Sequence, residues 1–165
     1  LCLSGGNTSA TGTGIAFPAT QSASSDVNTL DDYEEGTWTP VINRQTSSPT
    51  VSYGINQGTY TKIGRLVHIT ANIQVSSVSA AGSGYNSVTG LPFSADPTNA
   101  TWTSLAGATV YNSAFSTTTG VVGLSFITNT AIGFLPNGNS RTSSEVNDNW
   151  GAGYLVFSAV YKTTS

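Results

Sequence analysis

Charge is the scarcest property of this chain. Only 8% of its 165 residues are Asp, Glu, Lys or Arg, where a soluble domain ordinarily carries about 25%. Five basic against eight acidic residues leave a net charge of −3. That excludes electrostatic binding of nucleic acid, which needs a basic stripe to neutralise phosphates. Charged heptads are missing too, which excludes a coiled coil, and the acids are too few for a disordered acidic tail. A single cysteine, Cys2, rules out an intrachain disulfide, and with only one histidine a Cys/His zinc site within one chain is excluded. No apolar run approaches 18 residues, and Leu1 to Leu3 is too short for a signal-peptide core or a membrane span, so no membrane insertion is expected. Methionine is absent altogether, from which we expect a processed product or a piece of a longer polypeptide.

Helical signals are missing as well. No window shows an i, i+3, i+4, i+7 apolar stripe, and Leu, Glu and Lys are sparse, whereas the abundant Thr, Val, Tyr and Ile favour strands. Polarity comes from neutral groups, with Ser, Thr, Asn and Gly making up nearly half the chain. With 38% hydrophobic and 10% aromatic residues there is enough apolar matter for a core. The strongest period-2 pattern lies in residues 59–76, TYTKIGRLVHITANIQVS. There Val67, Ile69, Ala71, Ile73 and Val75 share one face, and His68, Thr70, Asn72 and Gln74 the other. Gly64 marks the turn of a hairpin. A first strand is expected from Thr37 to Asn43, and further strands over 87–91, 106–112, 121–128, 131–135 and 152–162. The last of these carries apolar residues on both faces, Leu155, Phe157 and Ala159 opposite Tyr154, Val156 and Val160, as a strand covered on both sides would. Short strands at spacings of roughly 8–14 residues, separated by Gly/Asn/Ser turns, predict an all-β fold, an antiparallel sandwich or barrel. We expect a jelly-roll-like β-sandwich over residues 29–165, preceded by an extended stalk or arm over residues 1–28 in which Ile15 and Phe17 are the apolar pegs. Long polar connections are expected at 76–87 and 136–151.

Five of the eight acids, Asp26, Asp31, Asp32, Glu34 and Glu35, fall within ten residues. Two converging carboxylates would suit glycoside hydrolysis, but neighbours on a loop read better as a solvated turn or a subunit contact. DDYEE also lacks the alternating acids of a calcium loop. His68 lies on the polar face of its strand, among Thr70, Asn72 and Gln74, which suits a surface or interface histidine better than a catalytic one. No nucleotide, zinc-protease or serine-hydrolase motif is present, so no cofactor, metal or catalytic residue is expected. Binding is a different matter. Aromatic faces beside amide and hydroxyl groups are what recognise sugars, and Tyr85, Asn86, Trp102, Tyr111, Asn137, Arg141 and Trp150 sit in or near polar stretches. These are the candidate glycan or receptor contacts. Trp38, beside Pro40, reads as structural.

Three stretches, TLDDYEEGTWTP (Thr29–Pro40), GTYTKIGRLVHI (Gly58–Ile69) and TGLPF (Thr89–Phe93), with GIAFPATQ before them, together resemble the C-terminal part of bacteriophage virion fibre proteins. These include tail fibres, tailspikes and related head or appendage fibres. The resemblance spans roughly residues 12–95. It implies a homotrimeric β domain at the end of a fibre, exposed on the virion, attached to other virion proteins through its N-terminal side and touching a bacterial surface glycan or protein. It implies no shared catalytic residue. Trp38 and Leu30 would then be packing residues, with Ile15, Phe17, Asp31, Asp32, Glu34 and Glu35 as inter-subunit contacts. Receptor contacts would reside in residues 96–151, where the match is weakest. The remaining readings are a purely structural decoration or trimerisation element, and a glycan-degrading tailspike.

Overall fold

The computed structural model describes residues 24–26, 28–30, 32–96, 109–112, 114, 122–127, 130–136 and 150–163. Its nine strands are β1 (Tyr33–Trp38), β2 (Val41–Arg44), β3 (Thr50–Ile63), β4 (Leu66–Ala80), β5 (Asn86–Thr89), β6 (Thr109–Asn112), β7 (Val122–Ile127), β8 (Ala131–Pro136) and β9 (Gly153–Lys162). They form a five-stranded sheet in the order β1-β3-β4-β9-β6 and a four-stranded sheet in the order β2-β5-β8-β7. Every pairing is antiparallel.

The β3–β4 hairpin forms where the alternation predicts it. Ile63 pairs with Leu66 across a two-residue loop, and Gly64 takes the positive φ of 54° that such tight turns require. The five apolar residues of β4 from Val67 to Val75 are all buried. They share one core with Leu155, Phe157, Ala159 and Tyr161 of β9 and with Ile42, Val88, Ile132 and Phe134 of the smaller sheet. Phe134 meets Phe157 edge-on across the two sheets, with ring centroids 5.4 Å apart.

Several expectations need correction. The run Thr37–Asn43 is two strands in different sheets, because Pro40 cannot donate to a ladder and lies fully buried at the crossing. Tyr33 to Gly36 are not a turn: they belong to edge strand β1, paired with β3, where the charged Glu34 and Glu35 discourage further strand addition. Residues 76–80 continue β4 rather than opening a loop, pairing with Thr50 to Ser52 through register shifts in β3. Among the described residues the smaller sheet covers one face of β9, while Tyr154, Val156 and Val160 on the other are exposed, which leaves that face for the other subunit that a two-faced apolar strand suggests. Leu30 is 56% exposed and packs no core.

Trp38 locks β1 onto β3. It lies opposite Gly58, and its indole Nε1 donates to the Thr70 carbonyl at 3.0 Å. A Cβ on Gly58 would lie 2.2 Å from that nitrogen. Gly58→Ala is therefore expected to lower stability by about 1–3 kcal/mol, as overpacking does, with the loss measured by chemical denaturation.

Candidate functional site

The three resembling segments, widely separated in sequence, meet at one end of the sandwich. Lys62 of β3 points inward, on the same face as Tyr60 and Gly58, and is only 1% exposed. Its ammonium forms an ion pair with the buried carboxylate of Asp32, just ahead of β1. The Phe93 ring closes the cluster, its centroid 5.3 Å from Lys62 Nζ and 5.2 Å from the Tyr60 ring, edge to face. Tyr161 of β9 donates its hydroxyl to the Phe93 carbonyl at 2.9 Å, while the Phe93 amide donates back at 3.4 Å. Burial pushes the Tyr161 phenol up to about 12, against a smaller lowering from that amide. The Gly64 amide donates to the Asp32 carbonyl at 2.9 Å. Beside the cluster Arg65 donates to the Asp96 carboxylate at 2.5 Å, and the Asp96 amide donates to the Lys162 carbonyl. Residues 91–96 thus strap the hairpin end to the end of β9.

A second feature lies on the outer face of the five-stranded sheet. Register carries one row of hydroxyl residues across four strands, Thr37, Thr59, Thr70 and Ser158. Thr59 and Thr70 share a hydrogen bond of 2.7 Å, and Ser158 lies 3.5 Å from His68 Nε2. A trough of about 760 Å³ crosses β1, β3, β4 and β9 along this row, also lined by Gln57, Asn72 and Val156. Its chemistry is neutral: hydroxyl, amide and aliphatic. At the β1 side the Tyr33 hydroxyl donates to the Glu35 carboxylate at 3.2 Å, and that bond with the adjacent negative charge pushes the phenol up.

Of the candidate glycan contacts, Tyr85, Asn86, Tyr111 and Trp150 fall among the described residues. Tyr85, Asn86 and Trp150 are gathered at the Arg44 end of β2, but inside the fold. Asn86 and Trp150 are 2% and 3% exposed, so neither is a surface contact. Asn86 pairs with Arg44 and with Phe134 in the smaller sheet, and Trp150 Nε1 donates to the Asn43 carbonyl at 3.2 Å. Tyr85 is half-buried and its carbonyl accepts from the Gln45 amide. Tyr111 lies in β6, in register with Val156. Trp102, Asn137 and Arg141 lie outside the described residues, as do Ile15, Phe17 and Asp31 of the inter-subunit set. Asp32 is corrected from that set, because its carboxylate is buried against Lys62 of its own chain. Glu34 is half-buried and Glu35 exposed on alternate faces of β1. Among the described residues no group of three His, Cys, Asp or Glu side chains could hold a metal ion. Sequence reasoning missed Lys62, Phe93 and Tyr161 as one unit. The available signal was that Lys62 keeps step with Gly58 and Tyr60 along β3.

Compared with protein-family models, with curated proteins and with solved structures, the chain matches none.

Breaking the buried pair from one side leaves an uncompensated charge. Asp32→Ala and Lys62→Ala are each expected to cost about 3–5 kcal/mol. An Asp32→Leu/Lys62→Met double variant should lose far less than the sum, as a double-mutant denaturation cycle would reveal. Tyr161 also makes stability depend on alkaline pH. Its folded-state affinity for the proton exceeds the unfolded one, so its contribution is complete below about pH 10 and is lost as pH rises toward about 12. Tyr53, likewise raised by burial, acts with the same sign. Tyr161→Phe should flatten the alkaline fall in stability without removing it, measured by denaturant midpoints across that range.

Proposed function

We propose that this chain is a β-sandwich domain of a bacteriophage virion fibre, assembled as a homotrimer on the particle surface, where its loops contact a bacterial surface glycan or protein. The observation that carries this reading is the convergence of Asp32, Lys62 and Phe93. The segments that resemble fibre proteins come together as one interlocked unit, as a shared framework motif would. The same unit supports a non-enzymatic role. Asp32 is already engaged by Lys62, and Glu34 and Glu35 alternate along one strand instead of facing one another. In this reading the N-terminal side joins the domain to other virion proteins.

The burial of Asn86 and Trp150 favours a second reading, a structural decoration or trimerisation element with no receptor. Two measurements separate these. Light scattering on the full chain at micromolar concentration should give three times the chain mass, and a stable monomer would sink the assembly. Labelled protein should be retained on bacterial cells or their extracted surface polysaccharide. No retention, together with particles that fail to assemble when the domain is deleted, would favour the structural reading instead.

A further inference from the structure

We propose that copies of this chain meet through the outer face of the five-stranded sheet, centred on β9; this rests on the homotrimeric reading and names the surface for it. Of the exposed large apolar residues, six lie on that one face. Tyr33 is on β1, Ile63 on β3, Leu66 on β4, and Tyr154, Val156 and Val160 are on β9, each between 37% and 49% exposed. Register places them in two groups either side of the hydroxyl row: Tyr33, Ile63 and Leu66 form one cross-strand row that ends on Lys162, with Val160 one step along β9 beside His68, while Val156 and Tyr154 follow one another beyond Ser158. Concentrated apolar exposure of this kind marks protein–protein contact, whereas scattered single residues do not.

Three observations point to another copy as the occupant. The first is area. β4 and β9 stay paired from Leu66 to Val75, and with strand rises of about 3.3 Å and spacings of about 4.8 Å the face measures roughly 30 by 20–25 Å. That is about 700 Å² on each copy, divided in a three-fold ring between two neighbours, so that closing the ring takes about 2,100 Å² out of water in all, of the order of a stable interface. The second is charge. The face carries Glu35 on edge strand β1 and Lys162 on β9, opposite signs set apart across the sheet. A heterologous contact, the kind that closes into rings, brings the acid of one copy to the base of the next. The third is the hydroxyl row. Thr59 is already bonded to Thr70 and Ser158 approaches His68, so part of its hydrogen-bonding capacity is met within the chain. Hydroxyls bonded to one another can be covered at lower cost than unpaired ones. The trough gives the side chains of the next copy room.

The test uses the full chain, sized by light scattering. The unsubstituted protein should be a trimer, and a Val156→Glu/Val160→Glu variant should associate about 100-fold more weakly or worse. Val41→Glu, at an equally exposed apolar position on the smaller sheet, should assemble normally. Glu35→Lys should weaken association, and adding Lys162→Glu should restore it. Hydroxyl-radical labelling of Tyr33 and Tyr154 in the unsubstituted protein needs no variant: both should be protected in the assembly and labelled on dilution. A trimer with both tyrosines fully labelled, or a trimeric double-glutamate variant, would overturn this face and leave the trimer standing. An unsubstituted monomer would overturn both.

Discussion

An ammonium group inside a β-sandwich must be met by a carboxylate and shielded from water, and the Lys62 end of this molecule is arranged around that requirement. Asp32 supplies the charge, Phe93 and Tyr60 supply the cover, and Tyr161 pins the Phe93 backbone in place. Net stability is a poor account of such a pair, because desolvation consumes most of the attraction. Register is a better one. In β3 side chains alternate between core and solvent, so a slip of one residue would drive Lys62 outward and bring Thr61 or Ile63 in. The pair penalises that slip and holds β1, β3 and the 91–96 strap in a single alignment.

The division into two sheets follows from equally local chemistry. Pro40 ends the ladder that begins at Tyr33 and directs the chain into the opposite layer. Tyr53 then ties the layers together, because the Ile42 amide of β2 donates to its hydroxyl at 2.9 Å. Arg44, buried at the far end of β2, donates to the carbonyls of Ala81, Gly82 and Gly84 and so holds the turn before β5. Each end of β2 is thus fixed by one polar side chain that meets backbone.

How much of this was legible depended on whether the deciding information was local. Residues 66–75 alternate so regularly, beside a glycine able to turn, that the hairpin and its buried face could be read directly. The strand at 153–162 was equally plain. Lys62 was not, since a lysine in an alternating run reads as solvent-facing until its distant partner Asp32 is known. The acids of β1 read as a turn because charge is common in turns, while an edge strand uses charge for a different purpose. Ser76 to Ala80 set Val78 and Ala80 among three serines and so read as a loop, although a long partner strand carries them as sheet. Asn86 and Trp150 were misplaced for one shared reason. An aromatic or amide group in a polar stretch looks the same in sequence whether it lines a rim, as was expected of Trp150 and Asn86, or fills a core, as both do.

The place of β9 has a consequence for how the molecule is made. It emerges after all the other described strands, yet it sits between β4 and β6, pairing residues as far apart as Leu66 and Lys162. Until it arrives, β4 has an open edge along its length, and the buried row from Val67 to Val75 lacks Leu155, Phe157 and Ala159 as neighbours. Such long-range closure is slow and leaves an aggregation-prone intermediate. Closure of the five-stranded sheet therefore waits for β9, the latest of the described strands to be synthesised.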